Sequence, residues 1–260
     1  MPDDDRRFHR PGAPCWVVLV TPDTGRTGPF YARLFGWSRP EPQVGFDTVD
    51  CRGRDVAGAL QLPPDAAAEA ASEWILYLAT EDVGASLELI GPAGGDVLAP
   101  AFDVGSLGRM AMAADGAGAQ FGLWEAGVHP GAEMTGEPGS LTWAELRTRS
   151  PASASGFYQA VFGWDIPPVG AGPDRSVTCR LDQEPVAGMV ELGVTDGRSS
   201  SYWLPYFGVG DCDAAAARAG ELGGEVCGAP HDVGGRRVAV LRDPLGARFS
   251  IAGPGAGDTD

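Results

Sequence analysis

Apolar and polar positions along this chain follow two rhythms, one near period two and one near 3.6. The run CWVVLVTPD (15–23) is short, Val-rich and closed by a turn, which predicts a strand. TGRTGPFYARLFGW (24–37) places Phe30, Leu34 and Trp37 at i, i+4 and i+7, with Tyr31 and Phe35 alongside, which predicts a helix capped near Gly36. VGFDTVDCR and VAGALQL read as strands, DAAAEAASE as a polar connection and EWILYLA as a strand. EDVGASLELIGPAGG has helical spacing at Val83, Leu87 and Ile90, and GDVLAP, GRMAMAAD and AQFGLWE read as three short strands.

The same order then recurs. LTWAELRT is a strand and SPASASGFYQAVFGW a helix, with Ser150 or Ser153 as N-cap. DRSVTCRL, PVAGMVEL and YWLPYFGVG are strands, DCDAAAARAGELGG is a helix, and GEVC, RRVAVLRD and ARFSIAG close the chain. FYARLFGW (30–37) returns as FYQAVFGW (157–164), VAG (56–58) as VAG (186–188), and the turn from Asp115 to Phe121 as Asp243 to Phe249. Offsets of 127 to 130 throughout indicate two globular copies rather than a solenoid. The expected organisation is a disordered start over 1–12, one domain over 13–125, a Gly/Pro-rich linker over 126–139, a second domain over 140–254 and a tail over 255–260.

Composition narrows the function classes. Of 260 residues, 35 are acidic and 19 basic, a formal net charge of −16, and every base is arginine. The absence of lysine excludes a lysine Schiff base and a lysine nucleophile. The acidic balance argues against nucleic acid and anionic membranes as partners. The N-terminus has no apolar h-region and no apolar run reaches 18 residues, which points to a cytoplasmic protein. Five scattered cysteines without a CxxC read as small buried thiols.

The FYxxxFGW helix, the LGGxV helix exit, the GR…D strand and DPLGARFSI (243–251) together resemble the vicinal oxygen chelate superfamily, the glyoxalase and bleomycin-resistance group. The resemblance covers nearly the whole chain and looks most like its tandem two-domain actinobacterial members. It implies an α+β fold of two tandem glyoxalase-like domains. Each would hold two βαβββ modules in a curved, cup-shaped mixed sheet with helices on its outer face. The chemistry stays open, because that scaffold hosts lyases, isomerases, dioxygenases and drug binders.

The resemblance also implies four strand positions per cup that ligate a divalent ion in the family's metalloenzymes. Here these map to Trp16, Gln61, Ile75 and Gly122, and to Trp143, Glu191, Leu204 and Ser250. His9, His129 and His231 lie off the predicted strands and read as solvated loop residues. One Gln or Glu per cup does not make a three-donor site, so no metal and no cofactor are expected. Trp16, Trp74, Trp124, Trp143 and Trp203 are candidate ligand-binding aromatics, with Gln61, Leu204 and Ser250 as further lining residues. Trp37 and Trp164, at the helix ends, are expected in the core. Glu145, on the face of Trp143, and Glu191 are candidate acid/base groups if both enter one cup.

Three functions follow. The first is a metal-independent protein that binds or sequesters an aromatic natural product. The second is a cofactor-free isomerase, cyclase or lyase using Glu145 or Glu191. The third is a divalent-metal lyase or dioxygenase. The expected partner is a small aromatic or apolar ligand, and the expected assembly a monomer or homodimer.

Overall fold

The computed structural model describes residues 9–39, 47–67, 70–170, 175–193 and 200–255. Most of the expected N-terminal extension and nearly all of the tail lie outside the described residues, as do residues 194–199. The first half runs β1 (Pro14–Thr21), α1 (Thr24–Phe35), β2 (Asp47–Cys51), β3 (Arg54–Gln61), α2 (Pro64–Ala67), β4 (Glu73–Thr80), α3 (Val83–Ile90), β5 (Asp96–Val104), β6 (Gly108–Ala114) and β7 (Gln120–Ala126). The second runs β8 (Leu141–Thr148), α4 (Pro151–Phe162), β9 (Ser176–Leu181), β10 (Glu184–Glu191), β11 (Tyr202–Gly208), α5 (Cys212–Glu221), β12 (Glu225–Val226), β13 (His231–Val233), β14 (Arg236–Arg242) and β15 (Arg248–Pro254). His231 therefore opens a short strand where a loop was expected. The polar connection after β3 contains the one-turn helix α2.

The strands form two open mixed sheets, ordered β2-β3-β1-β4-β7-β6-β5 and β12-β14-β15-β11-β8-β10-β9, with β13 on β14. The fold is α+β, as expected. Local chemistry sets the helix ends. Asp23 caps α1 by accepting from the Arg26 amide. Ser150 precedes α4 without a side-chain capping bond, and Pro151 supplies the first helical residue. Gly36 and Gly163 end the two helices at φ 73° and 70°, a left-handed conformation that costs a glycine no Cβ clash.

Two compact units divide the chain, and each draws on both sequence halves. One takes Met1–Trp16, Leu76–Gly131 and Ala144–Trp203; the other takes Val17–Ile75, Ala132–Trp143 and Leu204–Asp260. In the second unit Phe35 of α1 lies 5.3 Å from Phe207 of β11, and Tyr31 lies 5.6 Å from Phe249 of β15. In the first unit Phe157 and Tyr158 of α4 lie 5.9 and 6.1 Å from Phe121 of β7. Each helix of the repeated phrase thus buries its aromatic face on strands from the opposite half of the sequence. Each such side chain contributes about 1.5–3 kcal/mol by leaving water.

A buried polar chain recurs in both units. Trp74 donates its indole N–H to the Tyr31 hydroxyl (3.0 Å), which donates to Asp243 (3.2 Å). Trp203 donates to Tyr158 (3.0 Å), which donates to Asp115 (3.3 Å). Both carboxyls also accept two backbone amides from their own turns. Trp37 and Trp164 are buried, as expected, and donate to the carbonyls of Gly139 and Gly12. Four of the five cysteines are buried and Cys227 is exposed. Burial pushes the Cys179 thiol up to about 12, so it stays protonated and inert at neutral pH.

Candidate functional site

The second unit contains an apolar cavity of about 440 Å³ on the helix-bearing side of β1, β3 and β2. Leu19, Val49, Gly58 and Ala59 form its floor, and α1 from Thr24 to Ala32 forms its roof. Tyr31, Trp37 and Trp74 make the aromatic wall, and Ser38 and Arg39 lie at the rim. The void arises because small residues face one another. Leu19 pairs with Ala59 across the parallel β1–β3 register, and Gly25 and Gly28 lie above on α1. Pro29 sits inside α1 and supplies no amide for the Gly25 carbonyl, which loosens that turn.

The polar side chains of the wall are already engaged. Thr24 donates both its amide (3.2 Å) and its hydroxyl (2.7 Å) to Gln61 Oε1. The Thr27 hydroxyl donates to the Asp23 carbonyl (3.2 Å), Ser38 donates to Asp50 (2.8 Å), and Arg39 is paired with Asp47. Tyr31 is pinned between Trp74 and Asp243. Its phenol is pushed well above the ordinary tyrosine range, first by burial and then by the Asp243 charge. It is therefore no base at neutral pH. The walls offer ring faces and methyl groups, with a cation at one edge. The size and apolar lining of the chamber suit a flat apolar molecule.

Added at Gly28, a Cβ would meet nothing within 4 Å. Gly28→Ala is therefore expected to stabilise the fold by about 0.5–1 kcal/mol through helix propensity, read as a higher urea midpoint.

The other candidate residues are spread over several environments. Trp74 lines the cavity, and Gln61 caps α1 beside it. Gln61 shares the helix side of the sheet with Leu19 and Thr21, whereas Trp16 points to the opposite face, the odd–even alternation of a strand. In the first unit Trp16 sits edge-on to His129 at 4.7 Å, and Trp124 donates to the His129 carbonyl at 3.0 Å. His129 is buried rather than solvated, because this tryptophan pair encloses it. Trp203 is core, bonded to Tyr158, and Leu204 is fully buried. The Ser250 hydroxyl donates to the Ala239 carbonyl (2.9 Å), and Trp143 is half-buried.

Glu145 and Glu191 do not come together. Along the parallel β8–β10 register Glu145 pairs with Gly188 and Thr148 with Glu191, three residues on. An odd spacing turns the two carboxylates to opposite faces of the sheet. Each has its own cation: Glu145 pairs with Arg147 at 2.7 Å and Glu191 with Arg175 at 3.2 Å.

The mapped ligand positions do not fit a divalent ion. An indole at Trp16 offers no donor lone pair. A Cβ at Gly122 would fall 2.2 Å from the Tyr77 ring, so a carboxylate there would displace Tyr77. Among the described residues no group of three or more His, Cys, Asp or Glu is placed to hold a metal.

The cavity residues that sequence reasoning missed are Tyr31 and Trp37, read as scaffold, and Gly28 and Ala59, not singled out. The available signal was two glycines and a proline inside one amphipathic helix, a pattern that spoils packing without ending the helix.

An α+β protein with two open mixed sheets, duplicated strand–helix modules and an apolar chamber beneath a helix is defined by these observations. The chain belongs to the glyoxalase-like family of the vicinal oxygen chelate superfamily. A family profile described as "Glyoxalase-like domain" matches residues 143–252. A "putative glyoxylase CFP32" of Mycobacterium tuberculosis is 39% identical over 257 residues, covering 96% of this chain and 97% of that protein. The "anthracycline biosynthesis protein DnrV" of Streptomyces peucetius is 39% identical over 256 residues, covering 93% of each. In fold the chain is similar to a Mn(II)-bound glyoxalase from Novosphingobium aromaticivorans, with TM-score 0.63, 14% identity, and 96% and 85% coverage of this chain and that one. It is also similar to a 2,2',3-trihydroxybiphenyl 1,2-dioxygenase from Sphingomonas wittichii, with TM-score 0.65, 13% identity, and 94% and 90% coverage.

Proposed function

We propose that this protein is a metal-independent small-molecule binding protein of secondary metabolism, which holds or sequesters an aromatic or apolar natural product. The observation that carries the reading is the 440 Å³ chamber walled by Tyr31, Trp37 and Trp74, whose polar side chains are already engaged. Its size lies within the range of small-molecule pockets, roughly 300–1,000 Å³. An aromatic wall without a reactive group favours binding over turnover. The separate faces and separate arginine partners of Glu145 and Glu191 weigh against a shared acid/base pair. The donor-poor ligand positions weigh against a metal-dependent lyase or dioxygenase. The description of a Streptomyces relative as an anthracycline biosynthesis protein supports a polycyclic aromatic ligand. The formal charge of −16 supports a partner that is neither nucleic acid nor membrane. Among the described residues no helix is long and apolar enough to cross a bilayer. We place the protein in the cytoplasm, as a monomer or homodimer.

Titration with a panel of hydroxyanthraquinones, followed by tryptophan fluorescence and by chromatography of the recovered ligand, tests the reading. Saturable quenching that survives exhaustive chelator dialysis, with the ligand returned unchanged, is the expected result. Conversion of the ligand, or binding that disappears with a stoichiometric metal, would overturn it.

A further inference from the structure

We infer that binding is confined to one of the two copies: Gly28 and Ala59 open the chamber in the second unit, while Ser155 and Met189 close its counterpart in the first. This rests on the binding function proposed above.

The two copies share one frame. Ala59 follows VAG on β3 and pairs with Leu19; Met189 follows VAG on β10 and pairs with Leu146. Tyr31 and Tyr158 accept from Trp74 and Trp203 at the same 3.0 Å. The contents of the two frames differ. Under α1 a Cβ at Gly28 would touch nothing, and Ala59 leaves the floor short. Under α4 Met189 is fully buried, and Ser155 Oγ lies 3.8 Å from its Sδ. An unbranched thioether fills an irregular gap between helix and sheet well. The plug therefore occupies the space that a ligand takes in the other copy.

The chemistry of the open copy sets the ligand class. A charged group inside would lose its hydration, and the polar side chains of the wall are already engaged with one another or with their neighbours. The chamber takes an uncharged, planar, fused-ring molecule, with any polar edge directed to the Arg39 rim.

Exchange of the plug tests this. The probe is 1,8-dihydroxyanthraquinone, titrated by fluorescence and calorimetry. Wild type is expected to bind one equivalent. Gly28→Ser with Ala59→Met should lower affinity at least tenfold, and Ser155→Gly with Met189→Ala should raise the stoichiometry to two. Wild-type affinity in the Gly28→Ser/Ala59→Met protein, or two equivalents in wild type, would overturn the inference. Xenon-pressurised crystals give a second readout that needs no ligand. Xenon beside Ala59 and none beside Met189 supports the asymmetry, even if the anthraquinone fails to bind; that failure would count against the binding function alone. Xenon at both positions or at neither would overturn the asymmetry. The Gly28→Ser/Ala59→Met protein fills space rather than emptying it, so it carries the test if the Met189 variant does not fold.

Discussion

Replacing Trp164 with alanine is expected to destabilise the protein by about 3–5 kcal/mol, the range for emptying a buried tryptophan site. Trp164 is 1% exposed, its indole N–H donates to the Gly12 carbonyl at 2.9 Å, and its ring stacks on Tyr158 at 5.0 Å. The loss therefore combines a cavity, a broken stack and an orphaned carbonyl. Trp37 holds the matching position in the repeat, donating to Gly139 at 2.7 Å and stacking on Tyr31 at 5.4 Å. It also borders the open chamber, so one side of its ring has fewer atoms to lose. Trp37→Ala should cost less than Trp164→Ala in urea denaturation, and the reverse order would mean that the chamber is not open. Trp164→Phe should recover most of the stacking but not the hydrogen bond.

Asp243→Ala should cost a comparable amount, about 3–5 kcal/mol, from three lost hydrogen bonds at a buried carboxyl. Its Oδ1 accepts the Leu245 and Ala247 amides at 2.8 and 2.9 Å, and its Oδ2 accepts the Tyr31 hydroxyl at 3.2 Å. Asn keeps an acceptor for the amides, so Asp243→Asn should cost less than Asp243→Ala. The pH dependence has a definite sign. Burial raises the Asp243 carboxyl above its ordinary 3.8, and the hydrogen bonds only partly offset it. A raised folded value means the contribution is fully present below the unfolded value and is lost as pH rises through the folded one. The advantage of wild type over Asp243→Asn should therefore widen as pH falls toward 3.8 and narrow toward neutrality. A gap that widens toward neutral pH would contradict that sign. Asp115, raised by burial in the same way, should repeat the pattern in the first unit.

The legible part of this protein was the part written at short range. The repeated phrase marks α1 and α4 because aromatic residues at helical spacing need one buried face, and a glycine just past the last turn tolerates φ near 70°. Alternation and Val-rich runs located most of the strands for the same local reason. Resemblance carried the α+β duplicated fold. His231 was misread because three residues of β13 are too few to show a period, and His129 because part of its enclosure comes from Trp16, more than a hundred residues away.

The site itself was decided by tertiary structure. Which face Glu145 and Glu191 take depends on register between β8 and β10, and one residue of slip inverts it. The Tyr31–Asp243 bond closes a separation of 212 residues that no local pattern records. The chamber is a difference of volumes, set by Gly28, Ala59, Leu19 and Trp74 from four separate elements. Sequence by itself determined the two copies, their helices and their aromatic cores, because backbone periods of two and 3.6 are imposed residue by residue. Only the packed chain decided that a chamber stays between α1 and its sheet while Met189 is buried at the matching position of the other copy, because empty space is a property of what surrounds it.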